Sequence, residues 1–287
     1  MRVRCPAKVN LFLEVTGRRP DGYHDLATLM VSVDLCDHQE MRADPSGEIR
    51  LTTDAPGLST GPDNLICRAA EILRRRCGIQ QGVAIRLQKR IPMEAGLGGG
   101  SSDAAGALAG LNELWELNLG REQLAEMGAE LGSDVPFFFY GPAGWCTGRG
   151  EMVEPVKMGK SLDLVLATPT VGLSTREVYG SLKRGDGEAA RDGKNMREAL
   201  QKGDIAELAK GLYNRLEEPA MRLCPEAARL RETLLRLNPA GVLLSGSGST
   251  VFALTRDAAE AWQISRALTS RQEVGDGVRV HVVRSCD

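Results

Sequence analysis

The sequence predicts an α+β chain built as two domains. Its 287 residues are long for one hydrophobic core and comfortable for two. The strand-and-helix pattern starts afresh near residue 155. Between strands, the helical segments come in pairs, which suits helices laid on one side of a sheet. The boundary is placed at 155, giving an amino-terminal domain 1–155 and a carboxy-terminal domain 156–287.

The elements follow in order. "AKVNLFLEV" (7–15) alternates apolar and polar residues in part and is rich in β-formers, so it reads as a strand. "ATLMVSVDL" (27–35) and "VAIRLQKRI" (83–91) read likewise. "DNLICRAAEILRRRCG" (63–78) places Leu65, Ile66, Ala69, Ala70 and Leu73 on one helical face, with Asp63 or Asn64 as cap and Gly78 as stop. From Ala104, apolar residues recur at Ala105, Leu108, Leu111, Leu114 and Trp115, an amphipathic helix starting at Ser102 or Asp103. A helix over 121–131 leads to "GSDVPFFFYG". Beyond 155 come a buried strand (162–170), a charged glycine-bearing loop (182–195) and helical segments over 197–237. A strand, glycine turn and strand (240–255), a helix (257–270) and a last strand (278–285) complete the chain, without internal repeats.

Composition narrows the function classes. A formal net charge of −2 supplies no basic field of the kind that broad nucleic-acid binding needs. The seven cysteines form no C-x-x-C pair and fit reduced thiols in a cytoplasmic protein. His24, His38 and His281 share no ligand spacing, so no metal site is expected from the protein itself. No apolar stretch reaches membrane-spanning length, and the amino terminus lacks a secretory pattern.

The chemistry concentrates in "PMEAGLGGGSSDAAGALAGLNEL" (92–114). Gly96, Gly98, Gly99 and Gly100 fall just before a helix, where glycine's ordering entropy must be offset by something. Amides at a helix start lack intrahelical partners and carry the positive end of the helix dipole. A glycine-rich approach lets a phosphate reach them, with Ser101 and Ser102 placed to donate hydroxyls or to ligate a phosphate-bound Mg²⁺. A bare turn with a Ser/Asp cap would need one or two glycines. The loop is not a Walker A loop, for no lysine follows its last glycine, and the Rossmann pattern fails because Ser101 occupies the third glycine position. Protein-kinase motifs are absent.

The loop resembles the P-x-x-x-G-L-G-x-S-S-x-A-A phosphate loop of the GHMP kinases, a family of small-molecule kinases. "AKVNLFLEVTGRRPDGYHDLATLM" and "LLSGSGSTVFAL" resemble the first and third motifs of the branch acting on a cytidine diphosphate polyol, 4-diphosphocytidyl-2-C-methyl-D-erythritol. "DNLICRAA" and "LGSDVPFFFYGPAGWCTGRGE" fit too, so the resemblance spans nearly the whole chain. It implies a ribosomal-protein-S5-domain-2-like amino-terminal domain and a ferredoxin-like carboxy-terminal one, with ATP over the loop between them. The implied reaction is ATP-dependent phosphorylation of the acceptor's 2-hydroxyl on the methylerythritol phosphate route to isoprenoids. ATP, Mg²⁺ and the cytidyl polyol are the implied small-molecule partners, and the chain itself a monomer or weak homodimer. Another GHMP kinase, acting on homoserine or mevalonate, and a non-catalytic nucleotide-binding regulator are the rivals. "GRRPDGYH" opposes the first, because those acceptors carry no cytosine, and retention of Lys8 and Asp134 opposes the second.

The resemblance also assigns residues. Asp134, by pattern alone as much a turn residue as a base, matches the catalytic aspartate. Lys8, by pattern alone a lysine on a solvated strand face, matches the catalytic lysine. Asn10 shares its face and could bind the polyol. The nucleotide's phosphates fall to Pro92, Met93, Glu94, Ala95, Gly96, Leu97, Gly98, Gly99, Gly100, Ser101 and Ser102, and Asn64 is a weaker candidate for the adenine. Tyr23 and His24, on a Pro-Asp-Gly turn, are assigned to the cytosine. Tyr179 is the candidate second aromatic face, or equally a core residue of an amphipathic helix, and Gly246 and Gly248 would lie near the acceptor's phosphates. Glu94-Ala95 departs from the family's glycines and predicts a stiffer loop whose carboxylate should point to solvent.

Overall fold

The computed structural model describes residues 1–182, 191–270 and 277–286. Most of the predicted 182–195 loop therefore lies outside the described residues, as does residue 287. The chain divides into two compact units interleaved in sequence: Met1–Ala7, Leu35–Ile91 and Gly98–Gly141 form one, and Lys8–Asp34, Pro92–Leu97 and Pro142–Asp287 the other. Two long strands, β1 (Arg2–Arg18) and β2 (His24–Asp44), give residues to both.

In the first unit, the far half of β2 pairs antiparallel with β4 (Gly82–Gln88), from His38 opposite Gln88 to Asp44 opposite Gly82. β4 also pairs parallel with β3 (Ile49–Thr53), a short strand that the sequence pattern does not show. A parallel pair needs a crossover, supplied here by helix α1 (Leu65–Cys77). Asn64 caps α1 through its side-chain oxygen, and Gly78 ends it in the left-handed conformation. Helices α2 (Gly99–Leu114) and α3 (Arg121–Leu131) follow, then a short 3₁₀ turn at Pro136–Phe139. Their core gathers Met41, Ile85, Leu73, Leu108, Leu111, Trp115, Leu124 and Val135.

Helix α2 corrects two expectations. It begins at Gly99, not at Ser102 or Asp103, so half of the glycine cluster is helical. It is also buried on nearly every side, through Asp103, Ala104, Ala105, Gly106, Ala107, Leu108, Gly110 and Leu111, and so is not amphipathic. Small residues make this close packing feasible: a Cβ on Gly106 would lie 2.4 Å from Cys5 Sγ, and one on Gly110 2.8 Å from Met41 Sδ.

In the second unit, the near half of β2 pairs antiparallel with β5 (Ala143–Gly148), which pairs with β6 (Met152–Pro155). The predicted helical stretch 197–237 resolves into α5 (Lys194–Lys202), α6 (Ile205–Gly211), α7 (Glu217–Leu223) and α8 (Pro225–Arg236). Strand β8 (Tyr213–Asn214) interrupts them and pairs parallel with Phe12 and Leu13 of β1. A separate antiparallel sheet of four strands runs β11 (Arg279–Arg284), β7 (Asp163–Thr168), β10 (Val251–Leu254), β9 (Gly241–Leu244). In chain order this is 4-1-3-2, with α7 and α8 after the first strand and α9 (Ala258–Ser270) after the third. That is the ferredoxin-like split βαβ arrangement. Its core joins Val165, Ala167, Val242, Leu244, Val251 and Ala253 to Leu230, Leu234, Ile264 and Leu268 of the helices.

No disulfide joins the seven cysteines. Among the described residues no helix is long and apolar enough to cross a membrane, and no cluster of His, Cys, Asp or Glu could hold a metal ion. Because Cys5 and α2 leave no room at Gly106, Gly106→Ala is expected to cost about 1–3 kcal/mol by overpacking. Urea denaturation measures it, and a loss below about 0.5 kcal/mol would mean that the helix–strand contact yields easily.

Candidate active site

The glycine loop takes its geometry from three of its residues. Glu94, Gly96 and Gly98 have φ of 52°, 74° and 68°, the left-handed region that glycine adopts readily and a glutamate does not. Gly96 admits no alternative, because its Cβ would fall 2.0 Å from the carbonyl oxygen of Ser245. Gly98 is the N-cap of α2 and contributes no side chain. The first capping hydrogen bond runs from Ser102 N to Gly98 O at 2.9 Å, so the amides of Gly99, Gly100 and Ser101 precede the helix's own ladder. Gly99 is buried against Ile91 and Lys89, and Gly100 is exposed.

Ser101 is half-buried, whereas Ser102 is 1 % exposed and its hydroxyl has no hydrogen-bond partner among the described residues. A buried hydroxyl without a partner costs free energy, which fits a residue whose partner is a ligand. Asp134 lies in the turn after α3 and is half-buried beside the buried Val135, Pro136 and Phe137. That turn adjoins the start of α2, since a Cβ on Gly132 would lie 3.8 Å from Ser101 Oγ. The first unit thus brings Asp134's segment to the amides that open α2.

The second unit assembles the other catalytic candidate. Lys8 is not on a solvated face: it is 3 % exposed. Its ammonium donates to Asn10 Oδ1 at 2.6 Å and to the Gly96 carbonyl at 2.9 Å. Charge-assisted hydrogen bonds are the stronger kind. Asn10 spends its amide on Thr28 Oγ1 at 2.8 Å, and Thr28 donates onward to the Phe12 carbonyl at 2.6 Å. Asn10 therefore aims Lys8, a role the sequence reading did not assign to it.

The turn between β9 and β10 closes over this group. Ser245 Oγ donates to the same Gly96 oxygen at 3.0 Å, and Gly246 lies where a Cβ would be 3.1 Å from Lys8 Nζ. Asn214, from the short strand β8, donates to the carbonyls of Leu244 and Gly246 at 2.8 and 2.7 Å. Gly248 uses its own amide inside the turn, on Ser245 O at 2.9 Å. Asn214 and Thr28 escaped the sequence reading, since a single polar residue in a helical or strand segment carries no signal of its contacts.

The aromatic candidates separate. His24 stacks on Tyr179 of α4 (Thr175–Gly180) with ring centroids 5.1 Å apart and planes at 28°. Burial, and then Arg18, lower the His24 pKa, so the ring is neutral at neutral pH. Tyr23 is 55 % exposed, with the Arg149 guanidinium over its face at 5.1 Å. Tyr179 packs against the unit's core as well as stacking on His24. Asn64 uses both ends of its amide locally, accepting from Ile66 N at 2.9 Å and donating to Ser59 O at 2.6 Å. Glu94 is exposed, but its side chain lies over Gly172, and its carbonyl accepts from Leu173 N at 3.1 Å. Pro92, Ala95 and Leu97 are buried and Met93 is exposed.

Comparison with known proteins adds to this geometry. The models of the GHMP kinases N terminal domain and of the GHMP kinases C terminal domain match residues 64–142 and 196–274. The 4-diphosphocytidyl-2-C-methyl-D-erythritol kinase of Exiguobacterium sibiricum is 44 % identical over 266 residues, 93 % of either chain. That of Bacillus subtilis is 41 % identical over 92 % of this chain and 91 % of its own. A crystal structure of 4-(cytidine 5'-diphospho)-2C-methyl-D-erythritol kinase superposes over the full length of both chains with a TM-score of 0.82 at 35 % identity. A homoserine kinase from Cytophaga hutchinsonii, at 19 % identity and a TM-score of 0.79, shares the fold.

Gly96→Ala is expected to destabilise the protein by roughly 2–5 kcal/mol, the left-handed cost added to a backbone collision. Glu94→Gly is expected to be neutral or stabilising by up to about 1 kcal/mol, because it relieves a left-handed glutamate. Paired thermal melts test the opposite signs, and equal losses would sink this account of the loop.

Proposed function

The chain belongs to the 4-diphosphocytidyl-2-C-methyl-D-erythritol kinases of the GHMP kinase family, and from that premise we propose the reaction it performs. It transfers the γ-phosphoryl group of ATP to the 2-hydroxyl of 4-diphosphocytidyl-2-C-methyl-D-erythritol, releasing ADP, in the methylerythritol phosphate route to isoprenoids. The observation that carries this reading is the opening of α2, where amides without intrahelical partners and an unpartnered buried hydroxyl sit beside the Asp134 turn.

Phosphoryl transfer asks the protein for position and charge more than for covalent chemistry. In this reading the amides of Gly99, Gly100 and Ser101 take the polyphosphate, stabilised by the helix dipole. Mg²⁺, when bound, neutralises phosphate charge. The residues present fit it, with the Ser101 or Ser102 hydroxyl as the protein's contribution beside the nucleotide's own oxygens. Asp134 orients the attacking hydroxyl and accepts its proton. Lys8, held by Asn10 and Gly96, stabilises negative charge as it develops.

Tyr23, with the stacked pair His24 and Tyr179, serves the cytosine, and the Gly246 turn the acceptor's phosphates. Asn64 serves the adenine side by holding the start of α1. The division into family domains 1–155 and 156–287 is supported by the separate amino- and carboxy-terminal matches, which lie on either side of 155, although the compact units themselves interleave across it. Cytoplasmic placement agrees with seven cysteines that form no disulfide.

Asp134→Asn is expected to lower kcat by two orders of magnitude or more, with the Kd of a non-hydrolysable ATP analogue within about threefold of the parent. Lys8→Met should lower kcat similarly and raise the acceptor's KM. The wild-type enzyme, offered ATP with the cytidyl substrate, homoserine or mevalonate, should phosphorylate only the first. Near-normal turnover by Asp134→Asn removes that residue from the mechanism, and phosphorylation of homoserine or mevalonate in place of the cytidyl substrate overturns the assignment.

A further inference from the structure

Beneath the phosphate loop lie three charged side chains that the reaction does not use. Asp37, on β2, is fully buried; Asp103, in the second turn of α2, is 3 % exposed; and the Lys89 side chain, just past β4, is 7 % exposed. The Lys89 ammonium donates to Asp103 Oδ2 at 2.8 Å and also to Asp37 Oδ2. Asp37 Oδ1 accepts the amides of Arg90 and Ile91, at 2.5 and 2.9 Å. The Lys89 amide goes to Asp54 Oδ1 at 2.8 Å. Three consecutive amides are thus taken by carboxylates where β4 ends and the loop begins. On the other flank, Gln39 donates to the Asp103 carbonyl at 2.7 Å. Gly99 lies directly over the cluster, where a Cβ would stand 3.0 Å from Lys89 Nζ and from Ile91.

Burying three ions costs several kcal/mol each after relaxation, and apolar residues of similar volume usually serve stability as well or better. A pure packing role therefore explains this arrangement poorly. What the charges do, and apolar groups could not, is fix directions: one ammonium holds two carboxylates, one tied to the strand end entering the loop and one to the helix leaving it. We infer that Asp37, Lys89 and Asp103 form a buried clamp that positions the opening of α2 for the nucleotide's phosphates. They are positioning residues, since their buried side chains are spent on one another and on backbone amides. The proposal rests on the phosphate-binding reading of that helix start.

The test is steady-state kinetics of the full chain against ATP and against the cytidyl acceptor. Asp103→Leu keeps the branched shape, with bulkier ends, but cannot accept a hydrogen bond from Lys89. It should raise the KM for ATP at least tenfold and leave that for the acceptor within about twofold. Asp103→Asn retains an acceptor for Lys89 and should bring the KM for ATP back to within about threefold of the parent. A folded Asp103→Leu enzyme with an unchanged KM for ATP, or with both KM values raised alike, overturns the clamp. Should Asp103→Leu fail to fold, Lys89→Met/Asp103→Leu removes ammonium and carboxylate together and leaves Asp37 on its two amides, with the same tenfold effect expected. Failure of both variants to fold also overturns the proposal, by making the cluster a determinant of the fold. Should the parent not phosphorylate the cytidyl substrate, the assigned reaction falls by itself. The clamp is then judged by the Kd of a non-hydrolysable ATP analogue: tenfold weakening in Asp103→Leu supports it, and an unchanged Kd sinks it.

Discussion

One carbonyl oxygen organises the second unit. Gly96 O accepts from the Lys8 ammonium and from the Ser245 hydroxyl, so a strand, a glycine loop and the β9–β10 turn meet at a single acceptor. Placing that oxygen requires φ of 74° and a backbone approach that no Cβ allows. The rest follows outward. Asn10 and Thr28 set the far side of the lysine, while Asn214 sets the turn by its two carbonyls. Polar groups buried this deeply are costly unless every partner is supplied, and here the partners come from segments far apart in the chain. The site is therefore stiff, which suits a reaction that depends on aim.

Burial is handled differently in the two units. Around Lys8 the ammonium donates to two neutral oxygens, Asn10 Oδ1 and the Gly96 carbonyl. Around Lys89 two carboxylates share one ammonium, and burial pushes the Asp103 carboxyl up to about 7. The same residues push the Cys5 thiol well above its usual range, through burial first and the neighbouring carboxylates second. Cys5 is accordingly a small apolar group in this fold and not a nucleophile.

Much of this was legible in the sequence, and what was not has identifiable causes. Periodicity located the long strands and α1, α3 and α9, because each has one face toward a core. It misplaced the start of α2 because a helix buried all round shows no stripe, and because glycine signals a loop whether it bends the chain or merely makes room. It missed β3, β5, β6 and β8, of five, six, four and two residues, all short stretches with little room to show a period. The motif residues were legible as a family pattern, and Lys8 shows the limit of reading them singly. A strand lysine points to solvent by default, and only its partners, 2 and 88 positions away, bring it inside. Asp37, Lys89 and Asp103 sit 14 to 66 positions apart and form no local pattern at all.

The interleaving of the two units has a consequence for how the polypeptide matures. Everything the first unit requires has been synthesised once Gly141 has emerged, so that unit can condense while translation continues. Residues 8–34, rich in Val and Leu, belong to a body completed only by the last strand, and must wait for more than a hundred further residues. No single cut releases either unit as one continuous piece. During that interval the nascent chain carries an apolar stretch whose packing partners have not yet been made.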